Sequence, residues 1–159
     1  MTVPKHVLFN LLAVTLISGS FFYASAQCEG YGYKQCVKYL DNEYKSNGQS
    51  NSAILSPGET TKVNMVFYKG YDYRIVFCAE EQLGQLAIKV YNTKGRDKGE
   101  LLFDNSQHEN AFHWDFTMKA TQRLVIEVSS TPPEGEEELE EGCVTIALGL
   151  RNSSQKGFK

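Results

Sequence analysis

The chain has 159 residues, 42% of them hydrophobic and 22% charged, with a formal net charge of −3. That length suits one domain of ordinary size. The near-balanced charge excludes a disordered polyelectrolyte, and no basic patch is large enough for nucleic-acid binding.

The first element in chain order reads as a processing signal. Lys5 and His6 give a short basic start, Val7 to Ile17 is almost wholly apolar, and Ala24-Ser25-Ala26 is a small-x-small cleavage site. The apolar run is about 11 residues, against the roughly 20 that span a bilayer. Residues 1–26 are therefore expected to be a signal peptide, with no transmembrane segment after its removal and a protein exported to the periplasm or the exterior. A second reading makes Cys28 a lipidated first residue, although Gln27 is a poor residue to precede one.

Cys28, Cys36, Cys78 and Cys143 are separated by 7, 41 and 64 residues. The lack of a close C-x2-C pair argues against a zinc site, and an even count in an exported chain reads as two disulfides. Residues 27–48 form the one helical candidate. Tyr33, Val37, Leu40 and Tyr44 fall on one helix face, and Asn47-Gly48 supplies a stop.

Beyond residue 49 the period becomes two. Val63/Met65/Phe67, Tyr73/Ile75/Phe77, Leu86/Ile88/Val90, Phe112/Trp114/Phe116, Leu124/Ile126/Val128 and Val144/Ile146/Leu148 each alternate with their neighbours. Leu101 to Phe103 adds a short run after a polar loop at Thr93 to Gly99. Seven to eight short strands over residues 49–151 predict an all-β fold, an antiparallel β-sandwich of jelly-roll-like type, followed by a tail at 152–159. Cys78 and Cys143 lie off the core stripes, on an outer face that Val76 and Ala147 make too apolar to stay wet. The N-terminal helix is expected to cover that face, stapled by a disulfide to Cys78 or Cys143. The alternative pairs Cys78 with Cys143 and leaves a local Cys28–Cys36 loop.

Pro57-Gly58-Glu59 entering a strand, Gly70-Tyr71-Asp72-Tyr73 entering the next, Leu102-Phe103-Asp104-Asn105 before an aromatic strand, and the late strand Gln122 to Val128 form a recognisable run. Over Gly58–Leu150 it resembles the bacterial pre-peptidase C-terminal type of β-sandwich, in a small exported bacterial protein. The resemblance implies a non-catalytic module, since members are mostly appendages of secreted enzymes, some binding collagen-like or carbohydrate partners. The chain departs in an added cysteine-tied segment and a long acidic loop, and is expected to stand without an attached enzyme.

Candidate chemistry is sparse. His108-Glu109 and His113 are one residue too far apart for a zincin pair and lie at a loop entering a strand, so they read as solvent-facing. No nucleophile elbow is present, and Asp104, Asp115 and Glu127 have no motif around them, so no catalytic residue, metal or cofactor is expected. Glu134 to Glu141 holds six acids, but as a run rather than the alternate spacing of a calcium loop; it reads as a solvated anionic loop. Asn152-Ser153-Ser154 is a glycosylation sequon that matters only in a eukaryotic secretory route. Tyrosines off the core stripes suit a peptide or sugar surface. The expected binding surface is Tyr68, Tyr71 and Tyr91 with Lys94, Arg96 and Lys98. Its expected partner is a carbohydrate or an envelope protein; an accessory subunit of an envelope complex is the alternative role, and an enzyme of unrecognised type a distant third.

Overall fold

The computed structural model describes residues 24–95, 97–131 and 140–153. Helix α1 (Ala24–Gln35) leads into a 3-10 turn (Val37–Leu40). Nine strands follow: β1 (Lys45–Ser46), β2 (Asn51–Leu55), β3 (Thr60–Phe67), β4 (Tyr71–Ala79), β5 (Gln85–Lys94), β6 (Asp97–Asp104), β7 (His113–Thr117), β8 (Gln122–Thr131) and β9 (Gly142–Asn152). The signal-peptide reading lies outside the described residues apart from Ala24–Ala26, and so does most of the acidic loop expected to be anionic.

The strands form two antiparallel sheets. One holds β9, β4 and β7 in that order, with both β1 and β2 pairing the far side of β9; the other runs β3-β8-β5-β6. The alternating apolar positions meet between them, as a half-buried sheet requires. Phe67, Tyr73, Ile75, Phe77, Ile88, Val90, Leu124, Ile126, Val128 and Leu148 are all at most 2% exposed. On the β6–β7 side Phe103 stacks on Trp114 at 5.2 Å, and Trp114 on Phe116 at 4.1 Å. Offset ring packing of this kind adds to the area the rings bury.

A second apolar cluster lies on the other face of the five-stranded sheet. There Cys36, Leu40 and Tyr44 pack on Val76 and Ala147. Both disulfides tie this layer down, Cys28 to Cys143 and Cys36 to Cys78. The first also removes the Cys28 sulfur from lipidation. Close approach depends on missing side chains. A Cβ on Gly32 would lie 2.5 Å from the Thr145 side chain, and one on Gly149 would lie 2.8 Å from Tyr44 Cβ.

Four expectations need correction. The single helix over 27–48 is instead α1 plus a 3-10 turn, and β1 occupies Lys45–Ser46. The stop falls at Asp41, which takes a positive φ of 53° while its carboxylate accepts the Glu43 N–H at 2.8 Å. Such a local side-chain bond competes with helix continuation. The polar loop at Thr93 to Gly99 is a hairpin, with Lys94 opposite Asp97 and Thr93 opposite Lys98. β1 and β2 bring the strand count among the described residues to nine; the periodicity missed them because β1 has only two residues and β2 sends just Ala53 and Leu55 inward, with the apolar Ile54 between them exposed. Phe112, placed on the core stripe with Trp114 and Phe116, is 45% exposed because it precedes β7.

Candidate functional site: an aromatic cleft beside the stapled layer

β4 outruns β7. Phe77 donates its N–H to the Phe112 carbonyl at 2.8 Å, and beyond that point β7 no longer flanks β4. The 3-10 turn and α1 lie along the gap, leaving a cleft of about 260 Å³ lined by Tyr31, Gln35, Tyr39, Phe77, Cys78, Ala79 and Phe112. Its lips are Tyr39 and Phe112, 44% and 45% exposed, in an edge-to-face contact with ring centroids 5.0 Å apart. His113 leans on Phe112 at 5.1 Å, and Lys38 sits 5.0 Å from the Tyr39 ring while donating to Gln35.

Each lip is held by structure beneath it. Cys36 caps the 3-10 turn that carries Tyr39, and its bridge to Cys78 fastens that turn to β4. Phe112 leaves a loop anchored by Asn105, which is 2% exposed. The Asn105 side chain accepts the Ile88 N–H at 2.8 Å and donates to the Leu86 carbonyl at 2.9 Å. Its own carbonyl accepts from His108 and Asn110. Glu109 and Asn110 both take left-handed φ values, 53° and 57°, to bring the chain back to β7. Tyr31 closes one end by donating its hydroxyl to the Ala79 carbonyl at 2.6 Å. Burial, helped by the Glu80 and Glu81 carboxylates, pushes that phenol above its ordinary range.

An ionic network fixes the far side of the same layer. Arg74 makes a two-point contact with Asp115, at 2.7 and 2.6 Å, and reaches Asp41 at 2.5 Å. Its neighbour Arg151 pairs with Asp72 and Glu43, and both guanidiniums lie over the Tyr44 ring, at 4.7 and 4.8 Å. Hydrogen bonding to Asp115, against the opposing effect of burial, drives Arg74 further above its ordinary range.

The carboxylates considered as catalytic candidates are all engaged. Asp115 holds Arg74, and Asp104 accepts from Ser106, whose hydroxyl holds it below the usual range. Burial would raise Glu127, but Lys98 and Lys62 outweigh it and leave the group lowered. His108 stacks on Phe103 at 5.2 Å, and among the described residues no three His, Cys, Asp or Glu side chains gather as a metal group.

The residues expected to form a binding surface are divided. Tyr91 and Lys98 meet on the outer face of the four-stranded sheet, with the ammonium 4.5 Å from the ring. Tyr68, 54% exposed, and Tyr71, packed against the core, flank the β3–β4 turn. Arg96 and the Lys94 side chain lie outside the described residues. Sequence reasoning missed Tyr39 and Phe112. Tyr39 falls off the Val37/Leu40/Tyr44 stripe, and that offset was the available signal; Phe112 carried none, because its alternation with Trp114 and Phe116 points inward.

No protein-family model matches the chain, and no curated protein matches it in sequence. Among solved structures it is similar to the crystal structure of Aeromonas hydrophila PliG, a periplasmic lysozyme inhibitor of g-type lysozyme. The TM-score is 0.45 at 12% identity, covering 64% of this chain and 84% of that one.

Proposed function

We propose that this exported, disulfide-bonded β-sandwich is a non-catalytic binding module for a protein partner, and that the cleft edged by Tyr39 and Phe112 is its contact site. The carrying observation is the aromatic pair itself: two large rings nearly half exposed, in mutual contact, over a cleft whose walls the Cys36–Cys78 bridge ties together. Rigid aromatics beside a pocket are the residues that dominate protein interfaces, because they bury much area while losing little side-chain freedom. The cleft has room for one or two inserted side chains. Its lining of two phenols, two phenyl rings, an amide, a methyl group and an oxidised cysteine holds no carboxylate, histidine or free thiol. A wider cavity of about 490 Å³ between α1 and β1–β2 is lined by Gly32, Ser46, Ser50, Ser52 and Thr145 among others, and offers no aromatic anchor. Two disulfides fit a protein matured in an oxidising compartment.

The test is site-specific photocrosslinking in the native cell envelope. Benzoylphenylalanine at position 112 is expected to give one discrete protein adduct that is lost when Tyr39→Ala is added. The same probe at Ala87, on the opposite sheet, is expected to give none. Adducts of equal yield at both positions would defeat the reading.

A further inference from the structure

We infer that the outer face of the four-stranded sheet, with the β3–β4 and β7–β8 turns at its end, is a second interaction surface that docks on an anionic phospholipid bilayer. The inference is independent of the cleft, which lies across the sandwich on the other sheet. Register puts Lys62, Asn64 and Val66 of β3, Arg123, Val125 and Glu127 of β8, and Lys89 and Tyr91 of β5 on this face; Lys98, Leu101 and Asp104 of β6 complete it. Lys69 and Lys119 sit on the two turns, which are tied together. Gly70 donates to the Met118 carbonyl at 3.1 Å, and the Lys69 N–H donates to the Thr121 hydroxyl at 3.1 Å.

The charges on this surface are unbalanced in one direction. Lys62 and Lys98 share the single carboxylate of Glu127, at 3.0 and 2.9 Å, and Lys89 lies 3.9 Å from Asp104. Arg123, Lys69 and Lys119 have no ion-pair partner among the described residues. Glu100 is the remaining carboxylate on the described part of β6. Six cations thus face three carboxylates. At the opposite end of the sandwich, the described loops carry Glu59, Glu80, Glu81, Glu109, Glu140 and Glu141 and neither Lys nor Arg. β8 alone separates the two ends by ten residues, roughly 33 Å at strand rise. Interactions between exposed charges are largely screened beyond about 8 Å at physiological salt, so the acidic end does not cancel the basic one, despite a net charge of −3.

Apolar groups are interleaved with these cations. Val66, Leu101 and Tyr68 are 36%, 40% and 54% exposed, half of the exposed large hydrophobic side chains among the described residues. A face of this kind, broad, pleated, cationic and punctuated by aliphatic and phenolic groups, complements phosphate headgroups lying over an acyl boundary. Its breadth favours a planar lipid surface over a single extended chain, which would need a groove.

The test uses the oxidised chain from Gln27 to Lys159 and cosedimentation with two kinds of vesicle, phosphatidylcholine alone and phosphatidylcholine mixed equally with phosphatidylglycerol. Binding is expected only to the anionic vesicles and should weaken as sodium chloride rises. Combined Lys69→Glu, Lys119→Glu and Arg123→Glu should weaken it by roughly tenfold or more, with the melting temperature retained. Glu81→Lys, at the other end, should leave it unchanged. Equal partition to both vesicles, no binding at low salt, or anionic-vesicle binding untouched by the triple reversal would each overturn the inference. So would binding to soluble polyphosphate with none to vesicles.

Discussion

Cys36 and Cys78 join the turn that carries Tyr39 to the strand that lines the cleft beneath it, so one covalent bond both adds to the stability of the helical layer and holds a cleft wall in place. The bridge spans a sequence separation of 42. On the chain-entropy account, closing such a loop contributes about 4 kcal/mol by restricting the unfolded chain. Replacing both cysteines by serine is expected to lower urea-unfolding stability by about 2–4 kcal/mol. Crosslinking from position 112 should weaken more than unfolding alone explains at temperatures where the variant is still folded. Full retention of the adduct would show that the Tyr39 wall stands without the bridge.

Gly149 makes room for the same layer. Its hypothetical Cβ meets Tyr44 Cβ at 2.8 Å, next to the main chain and unable to swing away, and the Leu40 Cδ2 methyl at 3.0 Å, on a side chain that is only 2% exposed. Gly149→Ala should therefore lift the 40–44 segment off β9 and destabilise the chain by about 1–3 kcal/mol, the usual range for overpacking. Gly48→Ala is the instructive contrast. No atom lies near its Cβ, yet φ is +75°, so its cost is backbone strain alone. Calorimetry of the two variants should rank Gly149→Ala the more damaging.

Much of this architecture was legible in the sequence because a strand writes its burial in a period of two. The stripes Tyr73/Ile75/Phe77 and Leu124/Ile126/Val128 reach the core as their alternation requires. Cys78 and Cys143, off those stripes, lie on the outer face where both staples are found. Parity works only inside a strand. Phe112 shares parity with Trp114 and Phe116 but stands one residue before β7, where the chain is still leaving a loop through two left-handed residues. Tyr39 belongs to a 3-10 turn rather than to an α-helix, so helical spacing misplaced its surroundings. The cleft exists because β4 is longer than β7, a difference between two strands distant in sequence. The segregation of charge between the two ends is likewise a product of topology, since it gathers short loops spread over some eighty residues of chain.

Arg74 is the hub of the ionic network, touching Asp115, Asp41 and the Tyr44 ring. Its side chain is 19% exposed and that of Asp115 39%, so solvent screens the pair in part. Arg74→Met keeps much of the packing and removes the charge. It is expected to cost about 1–2 kcal/mol, more than an exposed pair and less than a buried one. Adding Asp115→Asn to it should cost little further, because the two changes remove one interaction. Additive losses in that double-mutant cycle would show the pair to be uncoupled.

The folded chain should be stable over a bounded range of pH. For Asp72, burial opposes ionisation, but hydrogen bonds from Thr117, Ser153 and Arg151 outweigh it and hold the carboxyl below its ordinary range. Asp104 and Glu127 are lowered as well. A lowered folded value means stabilisation that is complete above the unfolded carboxylate range, about pH 4, and lost as pH falls through the folded values. Tyr31, Tyr44 and Tyr73 behave oppositely, since burial raises all three phenols. Their stabilisation is complete below about pH 10 and lost as pH rises through the folded values. The melting temperature should be nearly flat between about pH 5 and 9 and fall on both sides. Asp72→Asn should lower the plateau and flatten part of the acid limb, and an acid limb identical to that of the parent chain would exclude Asp72 as a contributor.

Phe112 and Phe116 give the sharpest separation of folding from binding, because they share parity in adjoining sequence and differ in environment. Phe116 stacks on Trp114 at 4.1 Å and on Tyr73 at 5.6 Å, and meets Phe67 edge-on at 5.4 Å. Truncating it opens a void among three rings, and Phe116→Ala is expected to cost about 3 kcal/mol. Phe112 touches Tyr39 and His113 at the surface, so Phe112→Ala should cost less than about 1 kcal/mol. Its effect on partner capture should be the larger of the two once temperature is adjusted to equal fractions folded. A partner adduct from benzoylphenylalanine at position 39 that survives Phe112→Ala but is lost in folded Phe116→Ala would place the contact on the core side of β7 and end the case for the cleft.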